Sequence, residues 1–164
     1  MKRIFVSIDE TSFGRNFQPA IGYAKRGQRL FIQRKTPSVP NRSVISAVCR
    51  GAPISFTEHK GSINTERFEE FIKSLSYPER TVVLMDNVSF HHSHKVQQAI
   101  KQKGWDCLFV PPYSPVFNPI EGVFSIVKRH YQKCLNINDS FKQVTPRHIE
   151  GFFNGSFAAT HRQA

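Results

Sequence analysis

Acidic residues are scarce in this sequence: 23 Lys and Arg stand against 12 Asp and Glu, and only four of the acids are Asp. Their positions therefore carry information. Asp9 follows the β-rich run of residues 4–8, and Asp86 follows the continuous apolar run of residues 81–85, so each is expected where a strand ends. A carboxylate at such a place is costly unless something neutralises it. Glu121 falls in the first turn of an expected helix whose other side is apolar, from which it could lean onto the same point. Three converging carboxylates repel one another and raise their own pKa values. A divalent cation resolves the conflict, and oxygen ligands of this kind suit Mg²⁺ or Mn²⁺. Two such ions about 3.5–4 Å apart can activate a water or 3′-hydroxyl and stabilise a leaving oxygen, which is the chemistry of phosphoryl transfer. Each residue also has an ordinary structural reading. Asp9 can cap a turn with Thr11, and Asp86-Asn87 can form an Asx turn. Asn118-Pro119-Ile120-Glu121 has the form of a capping box, with Asn118 as N-cap and Glu121 at N3.

Periodicity outlines the elements that must position these groups. Residues 20–23 and 30–33 can pair across Lys25-Arg26-Gly27 as a hairpin. Residues 43–49 and 54–59 flank Gly51-Ala52-Pro53 and read as a second antiparallel pair. Phe68, Phe71, Ile72 and Leu75 then fall at i, i+3, i+4 and i+7, one face of a helix starting near Asn64. After the run ending at Asp86, a helix is expected over residues 93–103, with Ser93 as N-cap and Gly104 as its stop. A strand over 106–110 is closed by Pro111-Pro112. Pro119 opens the next helix, with Ile120, Val123, Phe124, Val127 and Tyr131 as its buried stripe and Glu121, Ser125, Lys128 and Gln132 opposite. The tail adds a helix from Thr145-Pro146. Strands first and alternating helices and strands after predict a mixed sheet covered by helices.

Composition bounds the function. With 39% hydrophobic residues, 15 of them Phe, the chain can build a core rather than remain disordered. No apolar run approaches the roughly 20 residues needed to span a bilayer, and the N-terminus turns polar by Ser7, too early for a signal peptide. An intracellular location with no membrane association is expected. Cys49, Cys107 and Cys134 lie far apart and read as buried or half-buried free thiols. A formal charge of +11 attracts phosphate polyanions.

Four stretches resemble the DDE transposases of the mariner superfamily and its bacterial insertion-sequence relatives. Val6-Ser7-Ile8-Asp9-Glu10-Thr11-Ser12 is similar to the family's first catalytic strand. Val83-Leu84-Met85-Asp86-Asn87, with His91 four residues beyond, is similar to the second. Pro111-Pro112-Tyr113-Ser114-Pro115-Val116-Phe117-Asn118-Pro119-Ile120-Glu121 resembles the family's Pro-Tyr-Ser-Pro…Asn-Pro-Ile-Glu signature, and the 34 residues between Asp86 and Glu121 match the branch with Glu as third ligand. Gly22-Tyr23-Ala24-Lys25-Arg26-Gly27 is a weaker match, with Tyr where the family has Trp.

The resemblance implies an α/β, ribonuclease H-like fold: a five-stranded mixed sheet, three antiparallel then two parallel strands, flanked by helices. It implies Asp9, Asp86 and Glu121 as catalytic metal ligands for Mg²⁺ or Mn²⁺ in a two-metal site. Cleavage at transposon ends and 3′-hydroxyl transfer into target DNA would follow, by a homodimer in the active complex. Asn87 and His91 are second-rank candidates to orient a ligand or touch phosphate, and Asn118 belongs with them. Lys128, on Glu121's face, and Arg129 could continue a phosphate track. His92 and His94 read as a solvated face. Relatives insert a clasping loop or hairpin where this chain has its basic segment 16–40, and carry helix-turn-helix modules ahead of the catalytic domain. Here the expectation is a single catalytic domain over 1–164 without those modules, since the first catalytic strand begins at residue 4. Two other readings stay open: a structure-selective nuclease on the same fold, and a DNA-binding remnant without catalysis. The expected location is wherever the DNA is, the nucleus in a eukaryotic host or the cytoplasm and nucleoid in a bacterial one.

Overall fold

The computed structural model describes residues 3–14, 27, 41–111 and 114–161. The hairpin expected over 20–33, nearly all of the basic segment 16–40, and Pro112-Tyr113 lie outside the described residues. In chain order the elements are β1 (Phe5–Phe13), β2 (Arg42–Cys49), β3 (Ser55–Lys60), α1 (Thr65–Ser74), β4 (Val82–Met85), a 3₁₀ turn (Ser89–His92), α2 (His94–Gln102), β5 (Asp106–Phe109), a second 3₁₀ turn (Pro115–Phe117), α3 (Pro119–Cys134), α4 (Ile137–Phe141) and α5 (Pro146–His161).

The strands form one mixed sheet in the order β3-β2-β1-β4-β5. β1 to β3 are mutually antiparallel, whereas β4 lies parallel to β1 and β5 parallel to β4. This is the sheet the sequence predicts. Hairpin connection suffices for β2 and β3, where Gly51 supplies the turn with φ +75°. The parallel strands require the crossovers that α1 and α2 provide.

Strand alternation divides the core in two. Val6, Ile8, Ile45, Ala47, Val83 and Met85 face α1 and α2, meeting Phe68, Ile72, Val96 and Ile100. Phe13, Val44, Val48, Val82 and Leu84 face the other way, onto Ile120, Val123, Phe124, Val127 and Tyr131 of α3 and Phe153 of α5. The stripe read for α3 is thus the buried one. The Asn64 side chain caps α1 by accepting the Arg67 N–H at 3.0 Å, and Ser93 caps α2. Gly104, at φ +69°, follows α2 in the left-handed conformation that ends a helix.

Three differences from the sequence reading have physical reasons. β1 does not end at Asp9 but runs on to Phe13, because β2 pairs with it as far as Phe13↔Arg42 and buries Thr11 and Phe13. The short α4 carries only five residues, too few to show a period, and is held by the Asn136 cap and by Phe141 stacked on Phe56 at 4.1 Å. All three cysteines are free as expected, but Cys134 is exposed: it continues the buried stripe by period, yet it is the last residue of α3.

Candidate active site

Alternation along β1 places Ser7, Asp9, Thr11 and Phe13 on the α3 face and Glu10 on the opposite one. The parallel register pairs Phe5 with Val82 and Ser7 with Leu84. Continued by two residues, it sets Asp9 beside Asp86, just past the end of β4. Both carboxylates therefore lie at the carboxyl end of the central parallel pair, although Asp9 is in the middle of its strand because β1 goes on with β2 alone.

Asp9 is 6% exposed. Its Oδ1 accepts the Glu10 N–H at 2.7 Å, and its Oδ2 accepts an N–H of the Asn118 side chain at 2.9 Å. Burial pushes its pKa up to about 8, helped by the charges of Glu10, Asp86 and, least, Glu121, and opposed by the Glu10 N–H. A bare carboxylate is therefore disfavoured here.

Asn118 corrects the capping-box reading. Its backbone begins α3, but its side chain makes no cap bond. It is 4% exposed and turned inward, with Nδ2 on Asp9 and Oδ1 accepting the Ser7 hydroxyl. Ser7 Oγ in turn accepts the Ile120 N–H at 3.4 Å, so this hydroxyl does the capping. The Glu121 N–H goes to the Asn118 carbonyl at 3.1 Å. The start of α3 is thereby tied to β1 two residues from Asp9, and Glu121 emerges beside it, exposed, in the first turn. Gly122 fixes the other side of that turn: a Cβ there would lie 2.4 Å from the Phe152 ring of α5.

Asp86 has a side chain 40% exposed, yet its Oδ1 is buried. His91 Nδ1 lies 2.8 Å from that oxygen and 3.2 Å from the Asp86 carbonyl. The N–H is directed at the carbonyl, so Oδ1 has the charge contact but no well-aimed hydrogen bond. His91 is fully buried between the rings of Phe68 and Phe90, with centroids at 4.4 and 4.3 Å. Its Nε2 faces Glu10 Oε2 at 3.3 Å. Burial alone would lower its pKa, but contacts with Asp86 and Glu10 outweigh that and bring it to about 9.

The remaining sequence candidates are distributed around this centre. Asn87 is exposed, and its Oδ1 is bonded by His92, which stacks on Phe109 at 3.9 Å. His92 and His94 are both exposed, as the solvated-face reading expects, and His92 is also engaged by Asn87 and Phe109. Lys128 and Arg129 lie two turns beyond Glu121 on α3, half-buried and exposed. Sequence reasoning also passed over Ser7 and Glu10. Ser7 could have been found as the i−2 neighbour of Asp9 on one strand face, whereas nothing local announces that Glu10 meets His91, 81 residues away.

Among the described residues, no three His, Cys, Asp or Glu side chains are gathered closely enough to hold a metal ion as they stand. The donor set nevertheless fits a hard divalent cation: it is made of carboxylates, with a buried Asp9 whose charge is opposed by its neighbours.

A family model described as DDE superfamily endonuclease matches residues 4–144. No curated protein matches the chain. Among solved structures, the chain is similar to the Mos1 strand transfer complex at TM-score 0.69 and 16% identity, covering 96% of this chain and 52% of that one. It is similar to the mariner Mos1 paired end complex with Mg at TM-score 0.67 and 18% identity, covering 93% and 53%. It is similar to the catalytic domain of Mos1 mariner transposase at TM-score 0.63 and 12% identity, covering 93% and 75%. The chain therefore spans about half the length of the chains in those two complexes. At these identities the likeness is one of fold, and the fold is ribonuclease H-like.

Proposed function

The chain belongs to the DDE superfamily of endonucleases, and on that premise we propose that it is a transposase catalytic domain, cleaving DNA at transposon ends and joining the freed 3′-hydroxyl to target DNA. Asp9, Asp86 and Glu121 are its proposed metal ligands. The observation that carries this reading is the bond from Asn118 to Asp9. It joins the Asn-Pro-Ile-Glu segment to the first strand, and Glu121 is near enough for its charge to bear on Asp9.

A bound pair of Mg²⁺ or Mn²⁺ ions would supply charge neutralisation at the phosphate and a lowered pKa for the attacking hydroxyl. The protein's own part is positioning. Asn118 and the Glu10 N–H each occupy one oxygen of Asp9 and fix its plane. Asp86 is held from behind by His91, and Glu121 is free to close from the exposed first turn of α3. Lys128 and Arg129 extend a cationic track for the DNA backbone along α3, and the exposed His92–Asn87 pair borders Asp86 in the chain. Mos1 is described in strand transfer and paired-end complexes and with Mn or Mg, which supports the same metals and transposon-end DNA for this chain; a two-copy active complex is proposed along with them.

The test is a nicking assay on duplex DNA and a joining assay with a pre-cut end, each with Mg²⁺ or Mn²⁺. Asp9→Ala, Asp86→Ala and Glu121→Ala should each lower both rates by on the order of 100-fold or more, given what loss even of a ligand's supporting partner costs. Full activity in all three variants would remove the metal triad, and binding without nicking or joining by the unsubstituted chain would remove the enzyme.

A further inference from the structure

The Asp9 carboxylate and its sequence neighbour Glu10 point to opposite faces of β1, so Glu10 cannot join Asp9 as a ligand on the α3 face. It is instead half-buried on the α1 and α2 face, at a position where the cross-strand partner is Ile45 and the neighbours are apolar. A carboxylate kept in such surroundings needs a partner. The partner is His91, whose Nε2 lies 3.3 Å from Glu10 Oε2.

His91 meets only acceptors. Its Nδ1 faces the Asp86 carbonyl at 3.2 Å and Asp86 Oδ1 at 2.8 Å, while its Nε2 faces a carboxylate. Both ring nitrogens are thus engaged, Nε2 by the side chain of a β1 residue and Nδ1 by the residue that follows β4. Its seat is rigid. The Phe68 and Phe90 rings box it, the Gln97 side chain donates to its carbonyl at 2.8 Å, and its own N–H closes the 3₁₀ turn onto Val88. One end of this ring is anchored in β1 and the other bears on Asp86, which sits beyond the last residue of the short β4 and has no strand pairing of its own.

We infer that Glu10 is a positioning residue of the active site: acting through His91, it braces Asp86 so that its carboxylate stays beside Asp9 for the metal. This rests on the proposed metal-dependent function. Glu10 thus serves both faces of the sheet, with its backbone N–H on Asp9 and its side chain, through the imidazole, on Asp86. A strand residue with this double attachment links the orientations of the two strand-borne ligands.

The experiment compares the full chain with Glu10→Ala, Glu10→Gln and His91→Gln, without DNA, in two measurements. The first is Mn²⁺ affinity by titration calorimetry. The second is the position of the His91 ring signals by NMR in metal-free protein. Thermal unfolding confirms that each variant is folded at the temperature used. Glu10→Ala should shift the His91 ring signals and bind Mn²⁺ about ten-fold or more weakly, as expected when the outer partner of a metal ligand is removed. Glu10→Gln, which keeps an acceptor, should fall between, and His91→Gln should lose affinity at least as far as Glu10→Ala. A folded Glu10→Ala chain with unchanged Mn²⁺ affinity overturns the role of Glu10 while leaving the metal reading intact. An unsubstituted chain that takes up no Mn²⁺ overturns the metal reading, and the role of Glu10 with it. A lowered unfolding temperature with no change in Mn²⁺ affinity would show that Glu10 is structural only.

Discussion

Asp9 ionises near pH 3.8 when unhindered but only near pH 8 in the folded chain, where burial and three acidic neighbours oppose its charge. Between those values the folded state binds more protons than the unfolded one. Stability of the metal-free protein therefore falls as pH rises through this window and levels off above it. His91 acts in the same direction over a higher window, from about 6.5 to about 9, because its folded pKa is also raised. The expected result is a metal-free unfolding temperature that drops from pH 5 to pH 8, with Asp9→Asn flattening the lower part of that drop. Added Mg²⁺ should raise the unfolding temperature more at pH 8 than at pH 6, since binding must displace the Asp9 proton. Parallel pH curves for the two proteins, measured by thermal unfolding, would mean that Asp9 carries no such burden.

Among the elements, the start of α3 does most to assemble the site. Its first turn is tied to β1 through Asn118 and Ser7, and it is pressed against α5 through Gly122 and Phe152. Glycine weakens a helix interior, so its presence beside Glu121 has a packing cause: there is no room for a Cβ above the Phe152 ring. Gly122→Ala should cost about 1–3 kcal/mol, the usual penalty for overpacking, despite the better helix propensity of Ala. Phe152→Leu in the same chain should recover part of the loss, as measured by chemical denaturation. If Gly122→Ala is neutral or stabilising, α5 yields and does not set the position of Glu121. Element identity was largely legible here, because the stripes of α1 and α3 follow their period closely. The extension of β1 through Asp9-Glu10-Thr11-Ser12 was not legible, since those polar residues become strand only when β2 pairs with them.

On the scale of the molecule, an excess of 23 basic over 12 acidic side chains must be read together with a carboxylate centre. Carboxylates alone repel DNA, so the basic surface has to supply the attraction that brings a phosphate to them. Binding to duplex DNA should accordingly weaken steeply with salt, by on the order of 10³-fold between 50 and 200 mM for a surface contacting about six phosphates, and show little sequence preference. Fluorescence anisotropy across a salt series checks this. A tight, salt-resistant preference for one sequence would point to base readout by this chain. No helix among the described residues is long and apolar enough to cross a membrane, so the basic surface is not offset by a spanning segment among them.

The sequence by itself determined which residue types could do the chemistry, the order of strands and helices, and the family, because these depend on local period and on short motifs. It also carried the Asp86–Glu121 spacing, which depends only on counting. Tertiary structure decided the rest. Whether Asn118 caps its own helix or holds Asp9 is a competition between a bond three residues away and one 109 residues away, and burial against β1 tips it to the distant one. Whether Glu10 is a solvated neighbour of Asp9 or the brace behind Asp86 depends on which sheet face it occupies and on a 3₁₀ turn that brings His91 there. Asp9 and Asp86 could be recognised separately as charges near strand ends, but that they oppose each other's ionisation follows only from the parallel register that sets them side by side.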